Sequence, residues 1–315
     1  MRIGIIGAAD IAFRRFLPAL AKVGAMEFAG VASRTQSKAQ RIIETFGGVC
    51  YPSYEDIIAD PTVDAIYLPL PPALHYGWGK RVLEAGKHLL MEKPFTTSLE
   101  ETEDLVRLSE ERQLTVHENY MFLYHEQLSL IKNIIREGRI GDIRLLRLSF
   151  GFPKRADNDF RYNKALGGGA LLDCGGYPVR LALELLGGSA TVKQRSLSQP
   201  DGYEVDLFGS AVLQNEDGLC AQVSFGMDNA YQCCLEVWGS RATLIAPRIF
   251  TAGADFRPTI TIRGNSEEVI ECPADDQFMK SILAFEHACA SNDRSNIDNI
   301  LRQARLVEGI RGGAM

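Results

Sequence analysis

The sequence predicts an α/β protein in two parts: an N-terminal domain built on a parallel sheet, and a C-terminal α+β domain with a large open, mainly antiparallel sheet. Two observations predict this. Short β-rich runs alternate with helical runs over the first 120 residues, and long runs of alternating polar and apolar residues dominate from about 191 to 272. The first pattern is typical of βαβ units and the second of antiparallel strands with one solvated face. We therefore expect domains at 1–120 and 121–315.

Composition excludes several classes of protein. The chain has 315 residues, of which 46 % are hydrophobic and 23 % are charged, and its formal charge is −6 with acids and bases mixed along its length. A chain of this size and composition can bury a core and is typical of two domains. No basic block indicates a nucleic-acid or membrane partner, and no run approaches the ~18 apolar residues of a membrane span.

The cysteines argue against a disulfide framework and against a zinc site. There are seven, an odd number, and they are scattered without a C-x-x-C pair. The apolar stretch at the N-terminus is too short for a signal peptide. We therefore expect reduced thiols, no metal and a cytoplasmic location.

The elements of the first domain follow from periodicity and capping signals. Ser98 with Glu101 three residues later fits a capping box at the start of the fifth helix. Strands are predicted at 2–7, 27–33, 65–70, 88–92 and 114–120, and helices at 11–23, 37–47, 53–60, 75–87 and 98–113.

The pattern changes after residue 120. A helix at about 124–138 precedes a strand at 142–152, and a glycine-rich stretch at 166–188 reads as a helix in its middle. The strands of the second sheet fill 191–272. Two helices, near 276–291 and 295–309, end the chain.

The turn after the first strand resembles a dinucleotide-binding fingerprint. Its G-x-A-x-x-A pattern places Gly7 at a tight turn and Ala12 at close helix packing, although Ala9 replaces the glycine that approaches pyrophosphate. An ordinary strand-to-helix turn is the alternative. The cofactor-binding residues predicted for this Rossmann turn are Gly7, Ala8, Ala9, Asp10, Ile11 and Ala12, with Arg14 facing the cofactor.

The end of the second strand favours NADP(H) over NAD(H). An NAD site usually carries an acid there for the ribose hydroxyl. This chain has Ser33 and Arg34 instead, which suit a 2′-phosphate through charge-assisted hydrogen bonds. A solvent-exposed loop arginine is the alternative.

The carboxyl ends of the fourth and fifth strands deliver further residues to the ligand crevice. Leu70 and Pro71 form a rigid edge after strand four, and His75 opens the next helix. Glu92 and Lys93 end strand five, where burying an unpaired charge costs several kcal/mol. Function explains this better than packing: a lysine can donate a proton as hydride moves, with Glu92 positioning it. A strand-end salt bridge is the alternative.

These motifs resemble the Gfo/Idh/MocA oxidoreductases over nearly the whole chain. The shared runs are PLPPALH, AGKHLLMEKP and GGGALLDCGGYP, in this order. The resemblance implies a Rossmann domain followed by a substrate domain on an open sheet. It also implies hydride transfer between a nicotinamide cofactor and a sugar, polyol or related carbonyl.

The resemblance also implies roles for residues of the second domain. Many family members carry D-x-x-x-H, and here Asp173 is followed by Tyr177 in the histidine position. A phenol near a lysine ammonium can donate a proton, so Lys93 and Tyr177 are the predicted catalytic residues. Arg161 and Asp173 either reach over the cofactor or form a structural ion pair. The remaining predicted cofactor contacts are Glu92 and Asn119.

Within the family the sequence most resembles NADPH-dependent TDP-deoxysugar 3-ketoreductases. This implies reduction of the C3 keto group of a TDP-linked keto-deoxysugar in deoxysugar or antibiotic biosynthesis. The alternatives are a dehydrogenase of a free sugar or trans-dihydrodiol, and a non-catalytic dinucleotide sensor. The predicted substrate contacts are Arg15, for the diphosphate, with Lys93, Tyr177, Tyr231 and Thr251. An uncovered apolar sheet face predicts a homodimer or homotetramer.

Overall fold

A six-stranded parallel sheet is built by the first part of the chain. In the computed structural model, which describes residues 1–312, its strands are β1 (Arg2–Ile6), β2 (Glu27–Ala32), β3 (Val49–Tyr51), β4 (Ala65–Leu68), β5 (His88–Met91) and β6 (Val116–Glu118). They lie in the order β3-β2-β1-β4-β5-β6. The strand order reverses between β1 and β4, and ligands bind in sheets of this kind beyond the carboxyl ends of the strands at such a reversal.

Helices connect these strands, and a side-chain cap fixes where the fifth of them begins. They are α1 (Leu17–Leu20), α2 (Gln36–Phe46), α3 (Tyr54–Ala59), α4 (His75–Glu84) and α5 (Leu99–Arg112). The Ser98 hydroxyl accepts the N–H of Glu101 at 3.2 Å, and the Glu101 carboxylate accepts the N–H of Thr97 at 3.1 Å. The predicted capping box is therefore present, with its return bond made one residue earlier than the standard pattern.

Strand β3 escaped the sequence prediction. It has three residues, too few to show an alternating pattern, and it lies at the edge of the sheet beside β2. The two backbones approach closely at Gly30, where a Cβ would lie 2.1 Å from the carbonyl oxygen of Val49. A glycine in β2 is therefore what admits this edge strand.

An eight-stranded sheet organises the second part. Helix α6 (Glu126–Arg136) precedes it and helix α7 (Gly176–Leu186) covers one of its faces. Its strands are β7 (Ile143–Gly151), β8 (Thr191–Ser198), β9 (Phe208–Gln214), β10 (Cys220–Gly226), β11 (Gln232–Gly239), β12 (Thr243–Ala246), β13 (Thr259–Arg263) and β14 (Glu267–Glu271). The order is β14-β13-β12-β11-β7-β10-β9-β8, and only the β7–β10 pair is parallel.

The two faces of this sheet differ in polarity. Leu146, Leu148 and Phe150 of β7 are buried on the face that α7 covers. The other face carries small and polar side chains, such as Ser149 paired with Ser224, and the half-exposed ring of Trp238. The open face is therefore more polar than the apolar surface expected from the sequence.

The chain divides into two compact units that differ from the domains predicted at 1–120 and 121–315. The first unit is Met1–Asn119 with Phe278–Leu301, and the second is Tyr120–Gln277 with the chain from Arg302. Helix α8 (Gln277–Ser291) and the start of helix α9 (Ser295–Arg311) thus join the first unit. Ile297 and Ile300 complete its hydrophobic core beside Leu105 and Val106. Local pattern reveals that a helix is amphipathic, and only the fold reveals which core it covers.

Within residues 1–312, no helix is long and apolar enough to cross a membrane. The same residues hold no group of three His, Cys, Asp or Glu side chains that could bind a metal ion.

Candidate active site

The turn after β1 has the geometry that a dinucleotide phosphate requires. Gly7 has a φ of +104°, and a Cβ there would lie 2.6 Å from Cδ2 of Leu70. Its N–H donates to the carbonyl of Ala32 at 2.8 Å, which ties the turn to the end of β2. The chain then enters a helix, and the N–H groups of Ala12 and Phe13 bond to the carbonyl of Ala9. The glycine cradle and helix start fit the pyrophosphate of a dinucleotide, as the sequence predicts for Gly7, Ala8, Ala9, Asp10, Ile11 and Ala12.

This first helix contains a π-helical segment that the sequence did not reveal. The segment covers Ala12–Phe16, and the N–H of Leu17 donates to the carbonyl of Ala12. Pro18 explains it, because proline has no N–H and its ring crowds the carbonyl of the residue four positions earlier. The wider turn presents Arg14 and Arg15 to solvent, and neither forms an ion pair within residues 1–312.

The end of β2 carries the hydroxyl and guanidinium that sequence analysis selected. The Ser33 hydroxyl accepts the N–H of Thr35 at 3.1 Å, which orders the turn. Arg34 is exposed and has no carboxylate partner in the described part of the chain. Its five N–H donors are therefore available to an anion, as a 2′-phosphate site requires.

His75 connects two loops through both nitrogens of its ring. Its Nδ1 and Nε2 atoms each lie 2.8 Å from a backbone carbonyl, of Pro94 and Leu70 respectively, and the side chain is fully buried. Burial lowers the pKa of this histidine below its usual value, against the effect of the two carbonyls. The ring thus holds the loop of Leu70 and Pro71 against the loop that follows β5. The sequence placed His75 among the cofactor contacts, and that contact stays a prediction.

Glu92 is held by two donors on one oxygen. Its Oε1 accepts the Tyr67 hydroxyl and the Asn119 amide nitrogen, each at 2.7 Å. The Tyr67 ring is stacked on Phe16 with 3.8 Å between ring centres, so the tyrosine cannot swing away. Burial raises the pKa of Glu92, while these hydrogen bonds and the neighbouring Lys93 act in the opposite direction. The carboxyl group is thus fixed in place directly before Lys93, which follows β5 and precedes a cis peptide bond to Pro94.

A buried chain of hydrogen bonds supports this carboxyl group from behind. The Asn119 side-chain oxygen accepts the Ser281 hydroxyl at 2.8 Å, and Ser281 Oγ lies 3.2 Å from Nε2 of His117. Asn119 is 1 % exposed and uses both ends of its amide in this way. The sequence predicted that Asn119 and Glu92 contact the cofactor. In the structure Asn119 positions Glu92, and Glu92 stands beside Lys93.

Tyr177 lies in an aromatic cage of the second unit. It is the second residue of α7, just after a second π-helical segment at Leu171–Gly175, and it is 6 % exposed. Its hydroxyl lies 4.0 Å from Sδ of Met121. The rings around it are those of Tyr120, Phe122, Phe150 and Phe250, with centres 4.9–5.9 Å away. The cage fixes the direction of the phenol through packing.

Glycines of the glycine-rich motif lie where other groups approach closely. A Cβ on Gly176 would lie 2.0 Å from the Tyr120 hydroxyl oxygen, and one on Gly175 would lie 3.0 Å from the Phe225 ring. A Cβ on Gly168 would lie 2.3 Å from the carbonyl oxygen of Arg161. Gly176 therefore makes room for a ring of the Tyr177 cage, while Gly175 and Gly168 make room for a neighbouring ring and for backbone.

Arg161 and Asp173 form an ion pair over the glycine loop. The distance from Arg161 Nε to Asp173 Oδ2 is 2.8 Å, and Asp159 binds the same guanidinium at 3.1 Å. This matches the structural alternative that sequence analysis left open for the pair. A direct role at the cofactor stays a prediction.

Tyr231 and Thr251, chosen from the sequence as substrate contacts, are brought together. The Tyr231 hydroxyl and the Thr251 hydroxyl are 2.8 Å apart. Sequence analysis missed Arg248, whose guanidinium lies against the Tyr231 ring. An arginine in a loop between strands carries no signal of its own, and its proximity to Tyr231 depends on how the strands pair.

Comparison with known proteins matches both units. Residues 1–120 match the model of an oxidoreductase family with an NAD-binding Rossmann fold, and residues 128–245 match the model of the Gfo/Idh/MocA C-terminal domain.

Several bacterial enzymes are similar over the full chain. A dTDP-3,4-didehydro-2,6-dideoxy-alpha-D-glucose 3-reductase of Actinomadura kijaniata is 42 % identical, covering 100 % of this chain and 96 % of that protein. The enzyme of the same name from Saccharopolyspora spinosa is 38 % identical, covering 98 % and 96 %. A crystal structure of a 3-ketoreductase from Actinomadura kijaniata, in complex with NADP and TDP-benzene, has a TM-score of 0.97 and 41 % identity, covering 100 % of this chain and 98 % of that one.

The environment of Glu92 predicts how pH changes stability. Because the fold raises the pKa of this carboxyl, its contribution to stability is full at acid pH and is lost as the pH rises through the raised value. Glu92→Gln keeps an acceptor for Tyr67 and Asn119 but cannot ionise. We expect the melting temperature of Glu92→Gln, relative to the parent protein, to rise between pH 5 and pH 8 as measured by thermal unfolding.

The matched control is Glu111→Gln, which removes an exposed carboxylate paired with Arg107 and should change the melting temperature little at either pH. A difference for Glu92→Gln that stays constant with pH would contradict the assignment.

Proposed function

Because this chain belongs to the Gfo/Idh/MocA family of oxidoreductases, we propose that it reduces the C3 keto group of a TDP-linked keto-deoxysugar with NADPH. The observation that carries the proposal is full-length similarity to enzymes that are named for this reduction. Their substrate, a dTDP-linked 3,4-didehydro-2,6-dideoxyglucose, is the class of compound we propose here. Such a step belongs to the biosynthesis of deoxysugars and of natural products, such as antibiotics, that carry them.

Lys93 and Tyr177 act on the carbonyl oxygen in this proposal. When NADPH is bound, it supplies the hydride that adds to C3 of the sugar. The Lys93 ammonium donates a hydrogen bond to the carbonyl oxygen and supplies the proton, so that the ketone becomes a secondary alcohol. The Tyr177 hydroxyl is a second donor able to share this role.

The variants that were made of the related 3-ketoreductase support the choice of Lys93 and Tyr177. Its structure has been solved with one lysine changed to alanine or to glutamate, and with one tyrosine changed to phenylalanine. Those two positions are separated along the chain by the same number of residues as Lys93 and Tyr177.

Two other functions fit the observations less well. A dehydrogenase of a free sugar or dihydrodiol needs no cation for a diphosphate, whereas this chain holds Arg248 without a carboxylate partner in the described part of the chain. A non-catalytic dinucleotide sensor does not need both a lysine after β5 and a caged tyrosine.

Binding and turnover test the function. We expect TDP, but not glucose or xylose, to raise the melting temperature, because TDP at a hundred times its Kd adds about 2.7 kcal/mol to the free energy of unfolding. With the TDP-linked keto-sugar, Lys93→Met should lower kcat by about 10²–10⁴-fold, as loss of a general acid does. Tyr177→Phe should cause a smaller loss. NADPH consumption measures both.

The control for charge alone is Lys193→Met, an exposed lysine of β8 that should leave the rate unchanged. Turnover by Lys93→Met at the rate of the parent enzyme would remove Lys93 from the mechanism.

Cofactor choice is proposed to depend on Ser33 and Arg34 binding the 2′-phosphate. Arg34→Asp replaces a bidentate donor with a carboxylate, which repels the negatively charged 2′-phosphate. NADPH should therefore bind about 10²-fold more weakly, while the affinity for NADH, which lacks this phosphate, changes little. Fluorescence titration of both cofactors measures this. Arg136→Asp, an exposed change on α6, should alter neither affinity, and equal weakening of both cofactors by Arg34→Asp would refute the phosphate assignment.

We also propose that the open sheet face joins copies of this chain into a dimer or tetramer. Trp238 is half exposed on that face beside Arg147, whose guanidinium lies 5.5 Å from its ring centre. Trp238→Glu should lower the mass measured by light scattering to that of a monomer. Val49→Glu, at an equally exposed apolar residue at the edge of the other sheet, should not; an unchanged mass for Trp238→Glu would contradict this interface.

A cytoplasmic location is the last part of the proposal. It is supported by the cysteines, all seven of which lie within the described residues as free thiols.

A further inference from the structure

Arg248 is a cation held between two aromatic rings. It lies after β12, and its guanidinium carbon is 5.0 Å from the ring centre of Tyr231 and 5.6 Å from that of Phe256. Both rings are large exposed apolar groups, at 44 % and 45 % exposure. Contact with rings fixes the side chain while leaving the N–H edges of the guanidinium for a ligand.

This arginine lacks the anion that its neighbours have. Arg257, nine residues later, pairs with Glu271 at 3.1 Å, and Arg263 pairs with Glu267. Within residues 1–312 Arg248 forms no ion pair, and its Nε is buried without a hydrogen-bond acceptor. A partly buried cation with no counter-charge in the described part of the chain calls for a functional explanation, and an anionic ligand on the accessible edge of the guanidinium supplies one.

The backbone of this segment is fixed and leads to the catalytic tyrosine. The Gln127 amide donates to the carbonyls of Arg248 and Ile249, at 3.2 and 3.4 Å. Two residues further, the Phe250 ring packs against Tyr177 with 5.8 Å between centres. Arg248 therefore stands at one end of a rigid segment whose other end touches the predicted active-site phenol.

Thr251 connects the same segment to Tyr231. Its hydroxyl is 2.8 Å from the Tyr231 hydroxyl and 3.5 Å from Sγ of Cys233. The ring on which Arg248 rests is thus itself held by a hydrogen bond, so the cation is positioned before a ligand arrives.

We propose that Arg248 binds the diphosphate of the nucleotide-linked substrate. This rests on the proposed function, in which the substrate carries a nucleoside diphosphate. A guanidinium suits a diphosphate because its planar fork binds two phosphate oxygens at once. We favour Arg248 over Arg15, the residue that the sequence favoured, because Arg15 is an exposed side chain on the π-helical turn of the first unit, and no ring within residues 1–312 orders it.

Calorimetric titration of the NADPH-saturated enzyme with TDP and with thymidine tests this site. Arg248→Met keeps a long stem between the rings and removes the charge. We expect it to weaken TDP about 10–100-fold and thymidine little, because only TDP offers phosphates to a charged donor. Arg248→Lys should fall between, since it keeps the charge but loses the fork. As the salt concentration rises, the TDP affinity of the parent protein should also decline more steeply than that of Arg248→Met, which lacks the cation.

The matched control removes a cation elsewhere. Arg257→Met, in the same segment but paired with Glu271, should bind TDP like the parent enzyme. Arg15→Met tests the competing assignment of the diphosphate to Arg15. The melting temperature of each variant without ligand checks that it is folded.

The outcomes separate the two proposals. Parent enzyme that does not bind TDP overturns the proposed function, and this site with it. Parent enzyme that binds TDP, with Arg248→Met binding it equally well, overturns the Arg248 site alone. Loss of TDP affinity in Arg15→Met but not in Arg248→Met restores the assignment made from the sequence.

Discussion

The Glu92 carboxyl group, with two hydrogen-bond donors on one oxygen, is the constraint on which the first unit depends. An ionisable group at the end of a buried strand is costly unless it is bonded. Tyr67 from β4 and Asn119 from just after β6 satisfy it, so three neighbouring strands are tied together at their carboxyl ends. Since Lys93 is the next residue, the direction of its backbone is set by the same bonds. The predicted catalytic lysine is therefore positioned by the residues that bond to Glu92.

The second unit positions its predicted catalytic residue by aromatic packing rather than by hydrogen bonds. Tyr177 is fixed by four aromatic rings, and Gly176 allows one of them, that of Tyr120, to approach the helix that carries the tyrosine. Close packing thus explains several glycines of the sequence run that most clearly suggests the family.

The sequence allowed the sheet types and the placement of the chemistry to be predicted, because both depend on local pattern. Alternating strands and helices implied the parallel sheet, and polar residues after its strands implied a site at one edge. What the sequence could not give is whatever depends on distant partners. The polar atoms of His75 and Asn119 bond to Leu70, Pro94, Glu92 and Ser281, a pairing that no local pattern signals, and the contact of His75 and Asn119 with the cofactor stays a prediction. Arg248 gave no signal because its rings come from other segments.

The discontinuity of the first unit has a consequence for how the protein is made. Residues 278–301 complete a core that the first 119 residues begin. As the chain leaves the ribosome, the dinucleotide-binding lobe therefore emerges first and stays unfinished until almost the whole polypeptide has been translated. Its core stays open during that interval, while the lobe encoded in the middle of the gene already has most of its own residues. A gene fragment that stops at residue 120 would encode the strands of the lobe without the helix that seals them.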